Sequence, residues 1–266
     1  MDEVARHNLA RWNALAAEGA LFTRPRLDLT PETAQAQVDP EGMLGGLSGR
    51  DVLRLAGGGG QQSAAFALLG ARVTIVDLSD AQLDRDRQAA AHYGLEVRTL
   101  QADMRDLSAL PQDSFDIVCQ PYSLNFVPDA QAVFAQVRRV MRAGGIYYFA
   151  VANPFYAGLT ERDWTGDGYA LRLPYVEGAE IVTPDADWVF ADNESRPKIG
   201  ECREFRHTLA TLLNGPIALG FRLLRVSDTK DIHPDAGAEP GAWDHRNAIA
   251  PVWLALWLML DAAGNR

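Results

Sequence analysis

The residues best suited to chemistry are four consecutive glycines, Gly57–Gly60, and an acid, Asp77, at the end of the next apolar run. Glycine permits a positive φ angle and leaves no Cβ between the main chain and a ligand. N–H groups exposed at the start of the helix after the glycines would favour a polar or anionic group. A carboxylate at the end of the second strand can accept hydrogen bonds from two ribose hydroxyls. The segment therefore predicts a nucleoside-binding unit; the alternative is a structural turn, for which four glycines are more than is needed.

The glycine spacing alone does not identify the nucleoside. A dinucleotide fingerprint requires the pattern G-x-G-x-x-G/A. One G-x-G register of this turn ends at Gln62, whose side chain is too large for close helix packing, whereas the next register ends at Ser63, which is small enough. On this motif alone, an NAD-dependent oxidoreductase remains a candidate.

One histidine is a candidate general base. His207 lies where an aromatic-rich insertion re-enters the regular part of the chain, so its imidazole could face a bound substrate. The alternative for His207 is a structural hydrogen bond. The five histidines and the two cysteines, Cys119 and Cys202, show neither metal-ligand spacing nor a disulfide framework. The sequence therefore predicts no metal site.

Alternating strands and helices must position these residues. Helical periodicity predicts helices between apolar runs, and the apolar runs predict strands at 51–55, 72–77, 95–100, 115–119 and 146–151. Five strands alternating with helices are typical of a doubly wound, parallel α/β sheet. A further helix is predicted at 208–219, and two later strands at 221–226 and 251–258.

Residues 152–202 interrupt this alternation. They are rich in Gly, Pro, Asp and aromatic residues, with strand-like stretches at 180–182 and 188–190. Ligands of parallel sheets bind at the carboxyl ends of the strands, and the fifth strand ends where this insertion begins. We therefore expect a small β-rich cap at 152–202 that covers the substrate site, between two parts of the nucleoside-binding domain at 50–151 and 203–266. Residues 1–49, which include a predicted helix at 3–18, are expected to form an N-terminal helical lid.

Charge and composition exclude several classes of partner. The chain has 266 residues and a net charge of −10, which disfavours binding to a nucleic-acid backbone. The first residues are charged and lack the apolar segment of a signal peptide. The longest apolar run, at 248–260, contains Pro251 and is too short to span a bilayer. We expect a cytoplasmic protein with a small-molecule substrate, no nucleic acid and no membrane; the sequence does not predict an oligomeric state.

The order of the motifs resembles that of the class I S-adenosylmethionine-dependent methyltransferases, in the branch that acts on small molecules. The resemblance covers about residues 50–226 and includes the glycine turn, Asp77, Asp103 and the segments 116–118, 124–129, 137–145 and 205–209. It implies a seven-stranded, mostly parallel, Rossmann-like sheet. It also implies transfer of a methyl group from S-adenosylmethionine to an O, N or C atom of a small organic molecule, with no other cofactor.

The resemblance further implies roles for individual residues. Asp77 would bind both ribose hydroxyls, Asp103 would accept a hydrogen bond from the adenine amino group, and Met104 would donate its N–H to the adenine ring. The expected cofactor-binding residues are Ala56, Gly57, Gly58, Gly60, Gln61, Asp77, Leu78, Asp103, Met104 and Gln120. The expected substrate residues, from the loop after strand four and from the cap, are Tyr122, Asn125, Asn153, Tyr156, Trp164, Tyr169 and His207.

Two residues depart from the family pattern. Arg54 stands where an acid commonly helps to place the methionyl amino group, and Ala56 replaces the usual first glycine. These departures leave a second function open, in which a protein of the same fold binds the nucleoside without transferring methyl, as a cyclase, a decarboxylase or a binding subunit. An NAD-dependent oxidoreductase is less favoured, because it does not explain Asp103. A nucleic-acid or protein methyltransferase is disfavoured by the acidic charge and by the cap.

Overall fold

The structure is a computed structural model that describes residues 1–183, 199–228 and 233–262. A seven-stranded sheet with helices on both faces forms its larger part. The sheet strands are β1 (Asp51–Leu55), β2 (Arg72–Asp77), β3 (Arg98–Gln101), β4 (Phe115–Pro121), β5 (Met141–Ala152), β8 (Phe221–Ser227) and β9 (Trp253–Leu260). The helices are α1 (Glu3–Ala17), α2 (Pro31–Val38), α3 (Ser63–Leu68), α4 (Asp80–His92), α5 (Ala130–Val140), α6 (Leu209–Ala218) and α7 (Trp243–Ile249).

The strand order is β3-β2-β1-β4-β5-β9-β8. Strands β1 to β5 are parallel to one another, and β9 is antiparallel to both of its neighbours. The predicted seven-stranded, mostly parallel sheet is thereby confirmed. The chain runs outward from β1 to β3 and then returns to β4 on the other side of β1, so the strand order reverses between β1 and β4. Ligands of open α/β sheets bind at such a switch point, outside the carboxyl ends of the strands.

Two apolar cores hold the helices to the two faces of the sheet. On one face, Phe134 of α5 and Leu212 of α6 pack with buried side chains of the central strands. On the other face, Ala34 of α2, Phe66 of α3 and Leu83 of α4 do the same. Side chains alternate between the two faces of a strand, so the central strands, covered on both faces, are apolar at nearly every position.

Several element boundaries differ from prediction for identifiable reasons. Strand β3 begins at Arg98 rather than at residue 95, because the Leu95 N–H donates to the Ala90 carbonyl and completes the end of α4. Strand β5 begins at Met141, directly after α5, and pairs there with Phe115. Helix α7 was not predicted; tertiary contacts described below hold it in place.

The cap contains a two-stranded antiparallel sheet. Strand β6 (Glu180–Thr183) pairs with β7 (Cys202–Phe205), so the second cap strand extends past the boundary expected at residue 202. The predicted strand-like stretch at 188–190 lies outside the described residues. Helix α1 contacts the loop after β4 and the residues just before β7. The Asn8 side chain donates to the Phe126 carbonyl at 2.8 Å, and Arg11 donates to the Gly200 carbonyl. In the described part of the chain, no helix is both long and apolar enough to cross a bilayer.

Candidate functional site

The carboxyl ends of four neighbouring strands bring the predicted cofactor residues to one edge of the sheet. The glycine turn follows β1, Asp77 ends β2, Asp103 follows β3 and Gln120 lies near the end of β4. These positions surround the β1–β4 switch point. The geometry therefore assembles the set that the motif order predicted, from residues that are far apart in sequence.

The glycine turn is closed by protein groups. The N–H groups of Gly57, Gly58, Gly59 and Gly60 donate to Val76, Asp77, Gln82 and Asp86, respectively. These four N–H groups are therefore used within the protein, because the turn wraps tightly around the end of β2 and the start of α4. A Cβ on Gly59, whose φ is +107°, would lie 2.6 Å from the Phe22 carbonyl oxygen, so this position requires glycine.

Asp77 is half-buried at the end of β2 and organises the turn beside it. Its Oδ2 accepts from the Gly58 N–H at 3.0 Å, and its Oδ1 accepts from the Ser79 N–H at 2.9 Å. Burial raises the pKa of this carboxyl, and these backbone hydrogen bonds oppose the rise. A carboxylate oxygen can accept more than one hydrogen bond, so both oxygens remain suited to the two hydroxyls of a ribose.

Asp103 belongs to a chain of charges that reaches the N-terminal helix. The Arg105 guanidinium lies 2.6 Å from Asp103 Oδ2, and its other end lies 2.6 Å from Asp2 Oδ2. Asp2 also caps α1 by accepting from the Ala5 N–H at 2.8 Å. Hydrogen bonding from Arg105 is the main cause that lowers the pKa of Asp2 to about 2. Arg105 thus couples the predicted adenine site to the position of α1, a link that the sequence reading did not include.

The remaining predicted cofactor residues line the same edge. Gln120 is fully buried; its amide donates to the Met104 sulfur at 3.3 Å and accepts from the Tyr147 hydroxyl at 2.5 Å. Gln61 donates to the Leu21 carbonyl at 3.1 Å, which attaches the glycine turn to the N-terminal segment. Leu78 is half-buried directly after Asp77. Gln120 and Gln61 are therefore positioned by protein partners on the rim of the site.

The two departures from the family pattern are both accommodated. Arg54 is 1% exposed, and its guanidinium donates to the Cys119 carbonyl at 3.1 Å and to the Gln62 side chain. Ala56 adopts a positive φ of 46°, which is uncommon for a residue with a Cβ. A guanidinium cannot accept a hydrogen bond from an ammonium group, so Arg54 does not take over the role of the usual acid.

A buried carboxyl on α4, that of Asp86, also supports the glycine turn. Asp86 of α4 is fully buried, and its Oδ1 accepts from the Gly60 N–H at 3.2 Å and from the Ser63 hydroxyl at 2.5 Å. Its Oδ2 is buried without a hydrogen-bond partner. Burial, the largest cause, raises the pKa of Asp86 to about 7.

Four aromatic side chains, Trp12, Tyr122, Phe126 and Trp253, pack together beside this edge and form what we call the aromatic enclosure. The Tyr122 ring lies 4.5 Å from that of Trp253 and 6.2 Å from that of Phe126, and the Trp12 ring lies 5.6 Å from that of Phe126 (centroid distances), all edge-to-face. Of these residues, Tyr122 was a predicted substrate residue. Trp12 was considered as part of a lid, and Phe126 and Trp253 were not singled out.

A carboxyl that the sequence reading missed faces this enclosure. The Tyr122 hydroxyl donates to Glu204 Oε1 at 2.9 Å. Burial raises the pKa of Glu204, opposed by the hydrogen bond from Tyr122 and the charge of Arg11. Burial and the Glu204 carboxylate raise the pKa of Tyr122 well above its ordinary value, so the phenol stays protonated as the donor. Nothing local in the strand sequence CREF distinguishes Glu204 from a surface acid.

Two predicted substrate residues with amide side chains support the backbone instead. Asn125 is 2% exposed, and its Oδ1 accepts from the Ala152 N–H at 3.1 Å, which joins the loop after β4 to the end of β5. Asn153 Oδ1 accepts from the Phe155 N–H at 3.0 Å in a local turn. These contacts shape the wall of the site.

The cap aromatics pack against α7 and its preceding turn. The Tyr169 hydroxyl is hydrogen-bonded to His245 Nδ1 at 2.7 Å, and the Trp164 ring lies 5.1 Å from the rings of both residues. The Tyr156 hydroxyl accepts from Arg246 at 3.1 Å. The hydroxyls of Tyr156 and Tyr169 are thus used within the interface between the cap and α7, which explains why α7 forms there.

His207 has a structural environment. It is 3% exposed, with Nδ1 at 2.7 Å from Glu177 Oε1 and Nε2 at 3.1 Å from the Leu124 carbonyl oxygen. Both ring nitrogens therefore already face acceptor atoms of the protein. Glu177 also accepts from the N–H of Thr208, the N-cap residue of α6, at 2.8 Å. The geometry does not support a general base at His207, and that role stays a prediction.

The donor and acceptor groups at this edge fit an adenosyl nucleoside. Asp77 offers acceptors for a ribose diol, Asp103 offers an acceptor for an amino group, and Met104 offers an apolar side chain at the same edge. No group of His, Cys, Asp and Glu side chains suited to a metal ion occurs within the described ranges.

Comparison with known sequences gives a consistent result. The sequence model of a methyltransferase-domain family matches residues 53–149. A relative named uncharacterized methyltransferase YbaJ, from Bacillus subtilis, is 32% identical over 177 residues, which are 66% of this chain and 67% of the relative. A ubiquinone biosynthesis O-methyltransferase from Pseudomonas syringae is 30% identical over 156 residues, which cover 58% of this chain and 66% of that protein.

Solved structures share the fold along most of the chain. A putative S-adenosylmethionine-dependent methyltransferase from Listeria monocytogenes has a TM-score of 0.64 at 18% identity and covers 87% of this chain and 99% of its own. A methyltransferase of the same description from Mesorhizobium loti has a TM-score of 0.58 at 25% identity and covers 88% of this chain and 100% of its own.

Proposed function

Because the chain belongs to the class I S-adenosylmethionine-dependent methyltransferases and uses S-adenosylmethionine as its cofactor, we propose that it methylates a small organic molecule held in the aromatic enclosure. The observation that carries this proposal is the position of the enclosure at the carboxyl ends of β4 and β5, beside the residues suited to the nucleoside. The cofactor supplies an electrophilic methyl group on a sulfonium. The chain's own part is to hold the two molecules in line and exclude water.

The cofactor contacts that we propose follow from the geometry at the sheet edge. Asp77 accepts from the two ribose hydroxyls while it retains its bonds to Gly58 and Ser79. Asp103 accepts from the adenine amino group, with Arg105 holding its carboxylate in place. The absence of a Cβ at Gly58 and Gly60 lets the turn pack closely on α4, where Gln82 and the Arg85 carbonyl lie. Met104 packs against the base.

Closure from two sides favours a small acceptor over a macromolecule. Helix α1 and the β7 side of the cap are joined across the enclosure by Arg11 with Gly200, by His7 Nε2 with the Glu201 carbonyl at 2.9 Å, and by Arg203 with Glu3 at 3.2 Å. A nucleic acid would have to displace these contacts and would meet a net charge of −10. The ubiquinone biosynthesis relatives act by O-methylation, which supports a hydroxyl-bearing acceptor for this chain.

The proposal is tested by incubating the purified protein with methyl-labelled S-adenosylmethionine and a metabolite extract divided by size. We expect the label in a fraction of small organic molecules. Label in protein or nucleic acid would overturn the assignment of the acceptor. Binding of S-adenosylhomocysteine without label transfer to any fraction would instead favour a binding protein of the same fold.

A further inference from the structure

A carboxyl and a phenol meet where the cap touches the loop after β4. Tyr122 comes directly after β4 and adopts a positive φ of 36°, a backbone conformation that is uncommon for a bulky residue and marks functional or ligand-binding segments. Its hydroxyl reaches across 82 positions of sequence to Glu204 of β7. The Tyr122 ring also contacts the rings of Phe126 and Trp253 in the enclosure. The Glu204 carboxyl therefore lies at the wall of the acceptor site.

From this juxtaposition we propose that Glu204 is the general base that accepts the proton of a planar, hydroxyl-bearing acceptor, a phenol or an enol, and that Tyr122 positions its carboxylate. The proposal rests on the proposed function and names its substrate class. The aromatic side chains next to Tyr122, Phe126 and Trp253, offer apolar ring surfaces against which a planar ring can pack.

The proposed step balances in protons and electrons. As the acceptor oxygen bonds to the methyl carbon, the carbon–sulfur bond breaks and leaves its electron pair on sulfur, while the hydroxyl proton passes to Glu204. Water removes this proton from Glu204 after the products leave. No metal, oxidant or further co-reactant is required.

The surroundings of Glu204 suit this task. The groups that face it are the Tyr122 hydroxyl from the end of β4 and Arg11 from α1, with Cys202 on its own strand near Tyr122. Burial raises the pKa of Glu204 above that of an ordinary carboxyl, which makes its carboxylate a stronger base. His207 is an unsuitable alternative because both of its nitrogens face acceptors.

The first test is a binding measurement that does not depend on the natural acceptor. The protein loaded with S-adenosylhomocysteine is titrated with phenol and with anisole, which lacks the hydroxyl proton. We expect the wild type to prefer the phenol by about 10-fold or more, because a charge-assisted hydrogen bond to Glu204 forms only with the phenol. Glu204→Leu should remove this preference and retain S-adenosylhomocysteine binding. Equal binding of the two probes by the wild type would overturn the proposal.

The second test is kinetic, with labelled S-adenosylmethionine and catechol as the acceptor. Glu204→Gln should lower kcat by about 10²-fold or more, with KM changed little, because the amide keeps its bond to Tyr122 and cannot take the proton. Glu204→Asp should recover part of the rate. The matched control is Glu180→Gln on the neighbouring strand β6, whose carboxylate pairs with Arg203, and it should retain the wild-type rate.

The pH profile separates a positioning role of Tyr122 from a structural one. The wild-type rate should rise with pH as Glu204 loses its proton. Tyr122→Phe should move this rise to higher pH, because the hydrogen bond from Tyr122 is one of the causes that lower the pKa of Glu204. An unchanged profile in Tyr122→Phe, or an undiminished rate in Glu204→Gln, would overturn the proposal and leave methyl transfer itself intact. Absence of methyl transfer by a wild type that binds the cofactor would instead contradict the proposed function.

Discussion

At the scale of single residues, Asp77 holds the glycine turn in place and is also expected to bind the ribose. Its two oxygens hold the N–H groups of Gly58 and Ser79, and we expect the same oxygens to hold the ribose. Asp77→Asn keeps the shape but replaces one acceptor oxygen by a donor NH₂ group. Hydrogen bonds to charged groups contribute about 1.5–3 kcal/mol each, so the Kd for S-adenosylhomocysteine should rise by about 10-fold or more in calorimetry.

The control for this prediction lies on the next helix. Asp84→Asn removes an exposed carboxylate of α4 that pairs with Arg87, away from the turn. It should leave the Kd unchanged. An equal effect of the two substitutions would mean that net charge, rather than contact at Asp77, governs nucleoside affinity.

The raised pKa of Asp86 predicts that the stability of the folded protein depends on pH. Its folded-state pKa of about 7 lies above the ordinary value of 3.8, so the folded protein binds this proton more tightly than the unfolded chain does. The contribution to stability is full below about pH 4 and is lost as the pH rises through about 7. One pKa unit corresponds to about 1.4 kcal/mol, so the loss is at most about 4 kcal/mol.

Asp86→Asn removes this titration and can keep the bonds from Gly60 and Ser63. We therefore expect the substitution to raise the Tm at pH 8 and to have little effect at pH 5, as measured by calorimetry at both values. A Tm that falls equally at both pH values would show that the charged carboxylate is needed in the folded state.

Some residues of the candidate site could be predicted from the sequence, and others could not. Asp77 was predicted because it ends an apolar strand after the glycine turn, and Asp103 because the order of the motifs resembles that of the methyltransferase family. The structure places both at the carboxyl ends of neighbouring strands. Glu204 was missed because its partner Tyr122 lies 82 positions away and only the packing of the cap on the β4 loop brings the two together. His207 was chosen from its place in the chain, which does not reveal the acceptors at both of its nitrogens.

At the scale of elements, the buried guanidinium of Arg206 holds the first part of the cap to the end of β7. Arg206 follows β7 and is 5% exposed; it donates to the Pro154 and Ala157 carbonyl oxygens at 2.8 and 2.7 Å. Arg206→Met retains much of the bulk but leaves two carbonyls without a partner, at a cost of about 1–3 kcal/mol each. We expect faster hydrogen exchange at 154–159 with the central sheet unchanged. Arg162→Met, at an exposed position in the cap, is the control and should leave exchange as in the wild type.

Element boundaries were predictable where the signal is local. Strands β1 and β2 match their predicted bounds because buried apolar runs stop at a glycine turn and at Asp77. Helix α7 was not predictable, because its residues are of mixed polarity and it is held by contacts of Arg246 with Tyr156 and of His245 with Tyr169. Tertiary packing of this kind has no periodic signature in the sequence.

At the scale of the whole molecule, ligand binding should stabilise the lid together with the sheet. The glycine turn, α1 and the adenine site are linked through Gln61 with Leu21 and through Arg105 with Asp2. At a concentration of about 100 times Kd, S-adenosylhomocysteine should add about 2.7 kcal/mol to the free energy of unfolding. Hydrogen exchange should slow in α1 as well as in the turn, and NAD should have neither effect. Stabilisation by NAD alone would contradict the cofactor contacts proposed above.

Strand β9 implies an order of completion while the polypeptide is being made. It is synthesised after both of its neighbours, β5 and β8, yet it lies between them, and it begins with Trp253 of the enclosure. The glycine turn, Asp77 and Asp103 all emerge from the ribosome within the first 103 residues. A nascent chain therefore acquires the groups suited to the nucleoside long before it acquires the aromatic enclosure in which we propose that the acceptor binds. Until Trp253 has emerged, the enclosure is incomplete, and we expect the growing polypeptide to be unable to transfer a methyl group to an acceptor.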